Sequence, residues 1–458
     1  MLARMMRKKP IGHVYHDSLL HRSLSAVDLT LMGIGAIIGA GVFVITGIVA
    51  ATKSGPAVVL SYFVAGLASL FAALAYAELS ASIGGTGSAY SYAYAGFGEF
   101  IAWMIGWNLI LEYSMSVATV AIGWSGYLQN LLQAVNISIP HMLNTNPFEG
   151  GIINLPAVLI ILFLSAILCM GVKHSARFNA FIVLIKLLTI GIFIIVASSN
   201  IQPHYWYPFM PFGFTGVIQG AALVFFAYIG FDALSTAVEE TINPQRNVPI
   251  GIIASLFICT LIYIIVSVLL TGIAPYQSLN VRSPVADALL HLGYRTVAGL
   301  IAAGALAGLT TVMLVMFYGL TRICLAISRD GLLPRRFTAI HPQTFTPVKL
   351  ILVSGIVIAF IAGLSPINHA AELVNIGTLA AFVFVCGGVI VFRRTHPDLD
   401  RPFKLPLSPF IPLLGVFFCL YLMINLPAIT WWRFGVWSII GILIYFFYGF
   451  HQSKLDKK

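Results

Sequence analysis

Three ionisable side chains interrupt otherwise apolar stretches of this 458-residue chain: Glu112 in GWNLILEY, Lys186 in FIVLIKLLTIGIF and Asp232 at the end of FFAYIGFD. A charge at the centre of a bilayer costs roughly 3 kcal/mol or more, so the few ionisable groups at such depth are the first candidates for function. An ammonium there has to pair, lose its proton or face water. Its long stem also allows it to snorkel to an interface. A carboxylate there suits a cationic partner, or in protonated form bonds to a neighbouring helix. Glu78 closes its apolar run and reads as structural. An intramembrane enzyme would need a convergent catalytic pair with an oxyanion or metal site. No Ser/His/Asp set, metal cluster or phosphate loop can be placed in the sequence, and His141, His174 and His369, in loops or at the edges of runs, receive no role. The five cysteines all lie in apolar runs without ligand spacing and read as small packing residues.

Two glycine-containing interruptions carry a different chemistry, that of exposed backbone. The first is GIGAIIGAG at 33–41, and the second is Phe225-Phe226-Ala227-Tyr228-Ile229-Gly230-Phe231-Asp232. Glycine permits a helix break and close backbone approach. The run at 33–41 is not read as a dinucleotide motif, because no strand–turn–helix unit surrounds it. The alternative for any single glycine is a small packing surface.

The elements that position these groups are long apolar runs. The chain is 59% hydrophobic and 9% charged, against roughly 25% charged in an ordinary soluble domain. One bilayer crossing takes about 20 apolar residues. Twelve runs qualify, near 26–51, 57–79, 99–131, 153–172, 179–199, 214–237, 250–273, 296–327, 348–364, 374–393, 408–427 and 431–450. They are too long and too unalternating for barrel strands. The runs at 99–131 and 296–327 exceed one crossing, so eleven or thirteen remain alternatives. The fold class expected is an all-α integral membrane protein of twelve transmembrane helices.

Basic residues set the orientation. With a cytoplasmic N-terminus, 20 of the 25 Lys and Arg residues fall on one side and four (Lys53, Arg282, Arg295 and Arg433) on the other, with Lys186 inside a run. The net charge of +10 is therefore read as membrane orientation rather than nucleic-acid binding, with both termini cytoplasmic. No cleavable signal peptide is expected, since the first apolar run is too long and flows into a second.

The two interrupted runs are the first and the sixth. Five runs apart, they begin on opposite sides of the membrane, which is the arrangement of an inverted repeat. Irregular backbone survives at that depth only where it lines a cavity. Broken helices of this kind meet at the midplane and bind the polar ends of a substrate.

Several segments resemble the cationic amino acid transporter family of the amino acid–polyamine–organocation superfamily, in its shorter prokaryotic form. They are GIGAIIGAGVF at 33–43, AYAELSASIGGTGSAYSY at 75–92, GWNLILEY at 106–113, FFAYIGFDALSTAVEETINPQRNVPIGI at 225–252, SRDGLLP at 328–334 and RRTHPDLDRPFKLPLSPFIPLLG at 393–415. They cover almost the whole chain in the family's order. The resemblance implies a LeuT-type 5+5 inverted repeat with broken helices 1 and 6, plus two peripheral C-terminal helices. It also implies amino-acid transport, usually proton-coupled.

The domain expectation follows: a cytoplasmic tail at 1–25, helices 1–5 at 26–200, helices 6–10 at 201–393, helices 11–12 at 394–451 and a cytoplasmic tail at 452–458. The resemblance further implies that Lys186 takes the place of the sodium ion of sodium-coupled relatives, touches the broken backbone near Gly35–Ile38 and exchanges a proton during the cycle. Glu112 and Asp232 would face the substrate side chain, which suits arginine, lysine or ornithine, although relatives with acids here also take alanine. Phe226 resembles an aromatic gate, and Ile229 and Met316 resemble side-chain pocket residues. The GGTG at 84–87 resembles a structural loop. The substrate carboxylate is expected at the N–H groups of Gly39, Ala40 and Gly41, where the second half of helix 1 starts. Its ammonium is expected at the carbonyls of Ile37, Ile38, Phe225, Phe226 and Tyr228.

The function expected is therefore uptake of L-amino acids, cationic or small and neutral, by proton symport through alternating access at the plasma membrane. Exchange without proton coupling is the close alternative, and a transport-dead sensor or chaperone subunit would have lost the polar midplane groups. The partners expected are a small-molecule substrate, protons and the lipid bilayer. No cofactor, metal or nucleic acid is expected, and a small membrane subunit is left open.

Overall fold

The computed structural model describes residues 5–10, 22, 24–85, 87–134, 137–281 and 283–454. Outside them fall most of the expected tail 1–25, the last four residues of the expected tail 452–458, Thr86 of the 84–87 loop and Arg282. The side chains of Lys173, His174, Arg177 and His369 also lie outside the described set.

No strand occurs among the described residues. The α-helices of eight residues or more among the described residues are α1 (Ala26–Ile37), α2 (Val58–Ser82), α3 (Ala89–Gly96), α4 (Glu99–Ala134), α5 (Leu155–Cys169), α6 (Val172–Ser198), α7 (Gly213–Val224), α8 (Pro244–Ile273), α9 (Pro284–His291), α10 (Arg295–Arg329), α11 (Val348–Leu364), α12 (Ile367–Thr395), α13 (Phe410–Ile424) and α14 (Ala428–Ile444). Among the described residues, eight stretches are long and apolar enough to cross a bilayer, and α5, α11 and α13 are shorter apolar helices. The first stretch, Ala26–Ser82, holds 57 residues. As one straight helix it would measure about 85 Å, against a hydrocarbon core of about 30 Å. It therefore has to turn back, and it does so at Gly55, whose φ of 63° suits glycine. The two over-long runs of the sequence become α4, 36 residues, and α10, 35 residues.

Burial follows lipid logic. Large apolar side chains such as Phe257, Phe360, Phe417, Ile424 and Trp432 are exposed on the outside, where hydrocarbon is the expected solvent. The interior is closed by small residues. On α2, Ala65, Ala68, Ala72 and Ala73 are buried; without a hydrophobic drive between helices in lipid, such residues let backbones approach and pack.

Several polar groups of the interior are held by specific clamps, whereas others, among them both carboxylate oxygens of Glu112, have no hydrogen-bond partner among the described residues. α1 starts with a capping box in which Ser25 accepts from the Asp28 N–H and Asp28 accepts from the Ser25 N–H. Glu78 takes Arg393 Nε at 2.9 Å and Arg393 Nη2 at 2.5 Å, and also the Leu405 N–H at 2.8 Å. Glu99 accepts from Tyr94, Tyr445 and Ser453, which ties the C-terminal segment to the start of α4. Arg322, counted from the sequence with the loop charges, lies instead inside α10. It is 1% exposed and paired with Glu240 at 2.9 Å, and Tyr318 donates to the other Glu240 oxygen at 2.6 Å. The sequence missed this pair because Glu240 is set against Arg322 only by the packing of a second segment.

Candidate functional site

Both interrupted runs break where the glycines stand. α1 ends at Ile37, Ile38 turns to an extended ψ of 104°, and a wider π-type helix resumes at Gly41–Ile45. α7 ends at Val224 and runs through a tight 3-10 turn, Phe225–Tyr228. Ile229 is then extended, with ψ 137°, Gly230 has φ 124°, and a 3-10 helix follows over Phe231–Glu240. The two breaks pack on each other. A Cβ on Gly41 would run into the Cα of Ala227, and one on Gly230 would meet the backbone of Ala36. Only residues without a side chain allow this approach.

The carbonyls freed by the breaks are satisfied from neighbouring helices, as groups removed from water require. The Tyr263 hydroxyl of α8 sits between the two breaks, 2.6 Å from the Ile37 carbonyl and 2.8 Å from that of Ala227. Its one proton is shared between them. Tyr62 of α2 donates to the Gly41 carbonyl at 3.0 Å, and Tyr228 donates to the Tyr62 carbonyl at 2.9 Å.

Lys186 completes this cage. Its Nζ, fully buried, donates to the carbonyls of Gly35 at 3.1 Å and Ile38 at 2.5 Å and to Thr311 Oγ1 at 2.9 Å. An ammonium has three N–H donors, and all three are used. The acceptors are two carbonyls and a hydroxyl, with no carboxylate among them. Space for the lysine stem exists because α10 carries Gly308, where a Cβ would press on Lys186 Cε. The contact expected with the segment Gly35–Ile38 is therefore present, and snorkelling is not.

Between the breaks lies a cavity of about 10 Å³, lined by Ala36, Ile37, Gly39, Ala40 and Gly41 from the first break, Phe226 and Ile229 from the second, Ser116 and Val120 from α4, and Val312 and Met316 from α10. That is room for about one water molecule, so the site is closed in this conformation. Seven of the expected residues line it together: Ile37, Gly39, Ala40, Gly41, Phe226, Ile229 and Met316. The N–H groups at the start of the resumed helix, beginning at Ala40, face no preceding turn and are the natural anion-binding donors of the cavity.

The other expected residues lie elsewhere, each for a physical reason. The Ile38 carbonyl is turned away to Lys186. Phe225 and Tyr228, expected for their carbonyls, are not among the residues that line the cavity, and the Tyr228 hydroxyl donates to the Tyr62 carbonyl. Asp232 does not reach the cavity: its Oδ2 accepts from Tyr113 at 2.5 Å and its Oδ1 from the Gly230 N–H at 3.2 Å. In this conformation it secures the break. Glu112 is fully buried one helical turn before Ser116, with Gly377 of α12 against its Cβ, and does not line the cavity.

Ala36, which lies within the first interrupted run, and Ser116, Val120, Val312, Tyr263 and Thr311 were missed. Ser116 and Val120 stand four and eight residues after Glu112, and Val312 four before Met316, so the helical repeat pointed to them. Tyr263 and Thr311 gave only the signal of a polar group in an apolar run.

Among the described residues, no group of three or more His, Cys, Asp or Glu side chains could hold a metal ion.

Comparison with known proteins agrees with the geometry. The family model described as amino acid permease matches residues 24–447. The methylthioribose transporter of Bacillus subtilis (strain 168) is 49% identical over 461 residues, covering 100% of both chains. The branched-chain amino acid permease BcaP of the same organism is 47% identical, again covering 100% of both. The human cationic amino acid transporter 4 is 32% identical over 100% of this chain and 92% of its own. A membrane-embedded helical chain with two backbone breaks closed around a small cavity, matched along nearly its whole length, belongs to the amino acid permease family of the amino acid–polyamine–organocation superfamily.

Proposed function

We propose that this permease is a secondary active transporter that takes up neutral L-amino acids with apolar side chains by proton symport through alternating access. One observation carries the reading: the cavity formed by the two breaks has unpaired backbone donors at Gly39–Gly41, walls that are apolar apart from the Ser116 hydroxyl, and no acidic side chain. The donors suit a carboxylate common to every amino acid. The substrate ammonium goes to the remaining lone pairs on the carbonyls of the two breaks. Ile37, Val120, Phe226, Ile229, Val312 and Met316 suit an aliphatic side chain, and the engagement of Asp232 with Tyr113 argues against selection of cations. The name of the 47% identical relative, a branched-chain amino acid permease, fits this chemistry.

Lys186 supplies the coupling. A protonated amine fills all three contacts of its cage, whereas a neutral amine has one donor fewer and releases part of the first break. Proton gain and loss then bias the two arrangements of α1. The twelve apolar runs form the crossings. Residues 26–200 and 201–393 are inverted repeats, and 394–451 lie at their side. Both termini face the cytoplasm at the plasma membrane.

The test is uptake of labelled leucine, alanine and arginine into liposomes holding the purified protein, with and without an inward proton gradient and with methylthioribose as competitor. Leucine and alanine uptake stimulated by the gradient is expected. Arginine preference, or methylthioribose outcompeting leucine, overturns the substrate class. Indifference to the gradient, with a requirement for internal amino acid, means exchange.

A further inference from the structure

A groove of about 890 Å³ runs along the outside of the helix bundle between α2 and α8. α2 contributes Phe63, Gly66 and Leu70, and α8 contributes a face from Arg246 through Ile253 to Thr260. At 1.5 Å per residue that face is about 21 Å long. One leaflet of hydrocarbon is about 15 Å deep, so the groove reaches from headgroup level to the middle of the bilayer. Its walls are apolar along this length, and no acidic side chain lines it.

The ends of the groove differ. At one end stand Gln245, Arg246 and the turn Pro402–Phe403. Arg246 and Lys404, next to Phe403, are both exposed, and neither makes an ion pair among the described residues. The deep end is floored by the second break. Gly66 has no side chain, and a Cβ there would meet the Tyr228 hydroxyl and Thr260, so the groove wall at Gly66 lies directly over the buried residue that links that break to α2.

We propose that this groove is a binding site for one anionic glycerophospholipid of the leaflet that faces the basic loops. An acyl chain lies between α2 and α8, and the phosphate sits at Arg246 and Lys404. Three features select this occupant over a peptide helix or a second copy of the chain: the groove lies at hydrocarbon depth, it is as long as one leaflet and it is basic only at its headgroup end. Charged pairing with basic side chains at that level is the known route to preference for anionic lipids. The assignment rests on the membrane orientation read from the charge bias and is independent of the substrate class. The chain of the bound lipid backs the wall at Gly66 behind which Tyr228 meets Tyr62, so occupancy favours transport.

The experiment is mass measurement of the intact protein released from bilayers of equal parts phosphatidylglycerol and phosphatidylcholine. One retained phosphatidylglycerol, in preference to phosphatidylcholine, is expected. Arg246→Ala combined with Lys404→Ala should lower that preference by roughly thirtyfold for two basic contacts. Ile253→Trp, a change on a lipid-facing wall, should abolish retention of either lipid. Helical circular dichroism and monodisperse elution confirm that both variants are folded. Leucine uptake by the wild type should be several-fold slower in pure phosphatidylcholine, and the Ile253→Trp variant should not sense the lipid. Equal retention of the two lipids, a preference surviving the loss of both basic side chains, or a lipid still held by the Ile253→Trp variant overturns the site. If leucine is not transported at all, the mass measurement still decides this proposal while the transport reading fails separately.

Discussion

Tyr113 of α4 donates its hydroxyl to Asp232 at the start of the second resumed helix. The same carboxylate caps the Gly230 N–H. An acid that from the sequence alone looks like a receptor for cationic side chains is thus an internal brace of the break.

Asp232→Asn should leave the ratio of leucine to arginine uptake unchanged while lowering thermal stability. A buried hydrogen-bonding group left with a worse partner costs about 1–3 kcal/mol. Melting in detergent and paired uptake measurements separate the two effects, and a tenfold rise in relative arginine exclusion or acceptance would show that the carboxylate does meet the substrate.

Lys186→Met should abolish stimulation of uptake by an inward proton gradient, by tenfold or more, while exchange of internal for external leucine persists at a reduced rate. The methionine removes all three donors that hold Gly35, Ile38 and Thr311. Wild-type stimulation in this variant would remove Lys186 from the coupling step. The pH profile of the exchange should flatten as well, because the group that titrates in the cage is gone.

Gly41→Ala should reduce uptake more than tenfold with little change in protein yield. Its added methyl meets Ala227 backbone and pries the two breaks apart. Met316→Ala acts in the opposite sense. It enlarges a wall of the cavity and should shift preference from leucine toward phenylalanine, as read by competition.

Arg322→Met alone should cost about 3–5 kcal/mol of stability, since it strands the Glu240 carboxylate in a buried setting. The double change Arg322→Met with Glu240→Leu should recover most of that loss. Thermal unfolding of the three variants gives the comparison, and equal melting of the single and double variants would mean that the pair is not coupled.

Tyr263→Phe should weaken both breaks together. Among the described residues its hydroxyl is the one side-chain group that touches carbonyls of each, so leucine affinity should fall although the phenol does not line the cavity. A variant that loses stability but keeps its affinity for leucine would confine Tyr263 to a structural part.

The sequence determined by itself that this chain is helical and lies in a membrane, because 59% hydrophobic and 9% charged residues leave no other solvent for its surface. It also located both breaks, since glycine clusters inside apolar runs have few other uses, and singled out Lys186, since a buried ammonium is too costly to keep without a purpose. Tertiary structure decided which carbonyls face which partner. Ile38 turned to Lys186, Ile37 shared Tyr263 with Ala227, and the cavity was left to Gly39, Ala40 and Gly41. It also decided that Asp232 braces a break, that Ser116 and Val312 complete the cavity wall, and that Arg322 is an interior ion pair. Each of these depends on contacts between residues far apart in the chain. A side chain's depth in the bilayer can be read from its run, whereas the direction it points is fixed only by the helix packed against it.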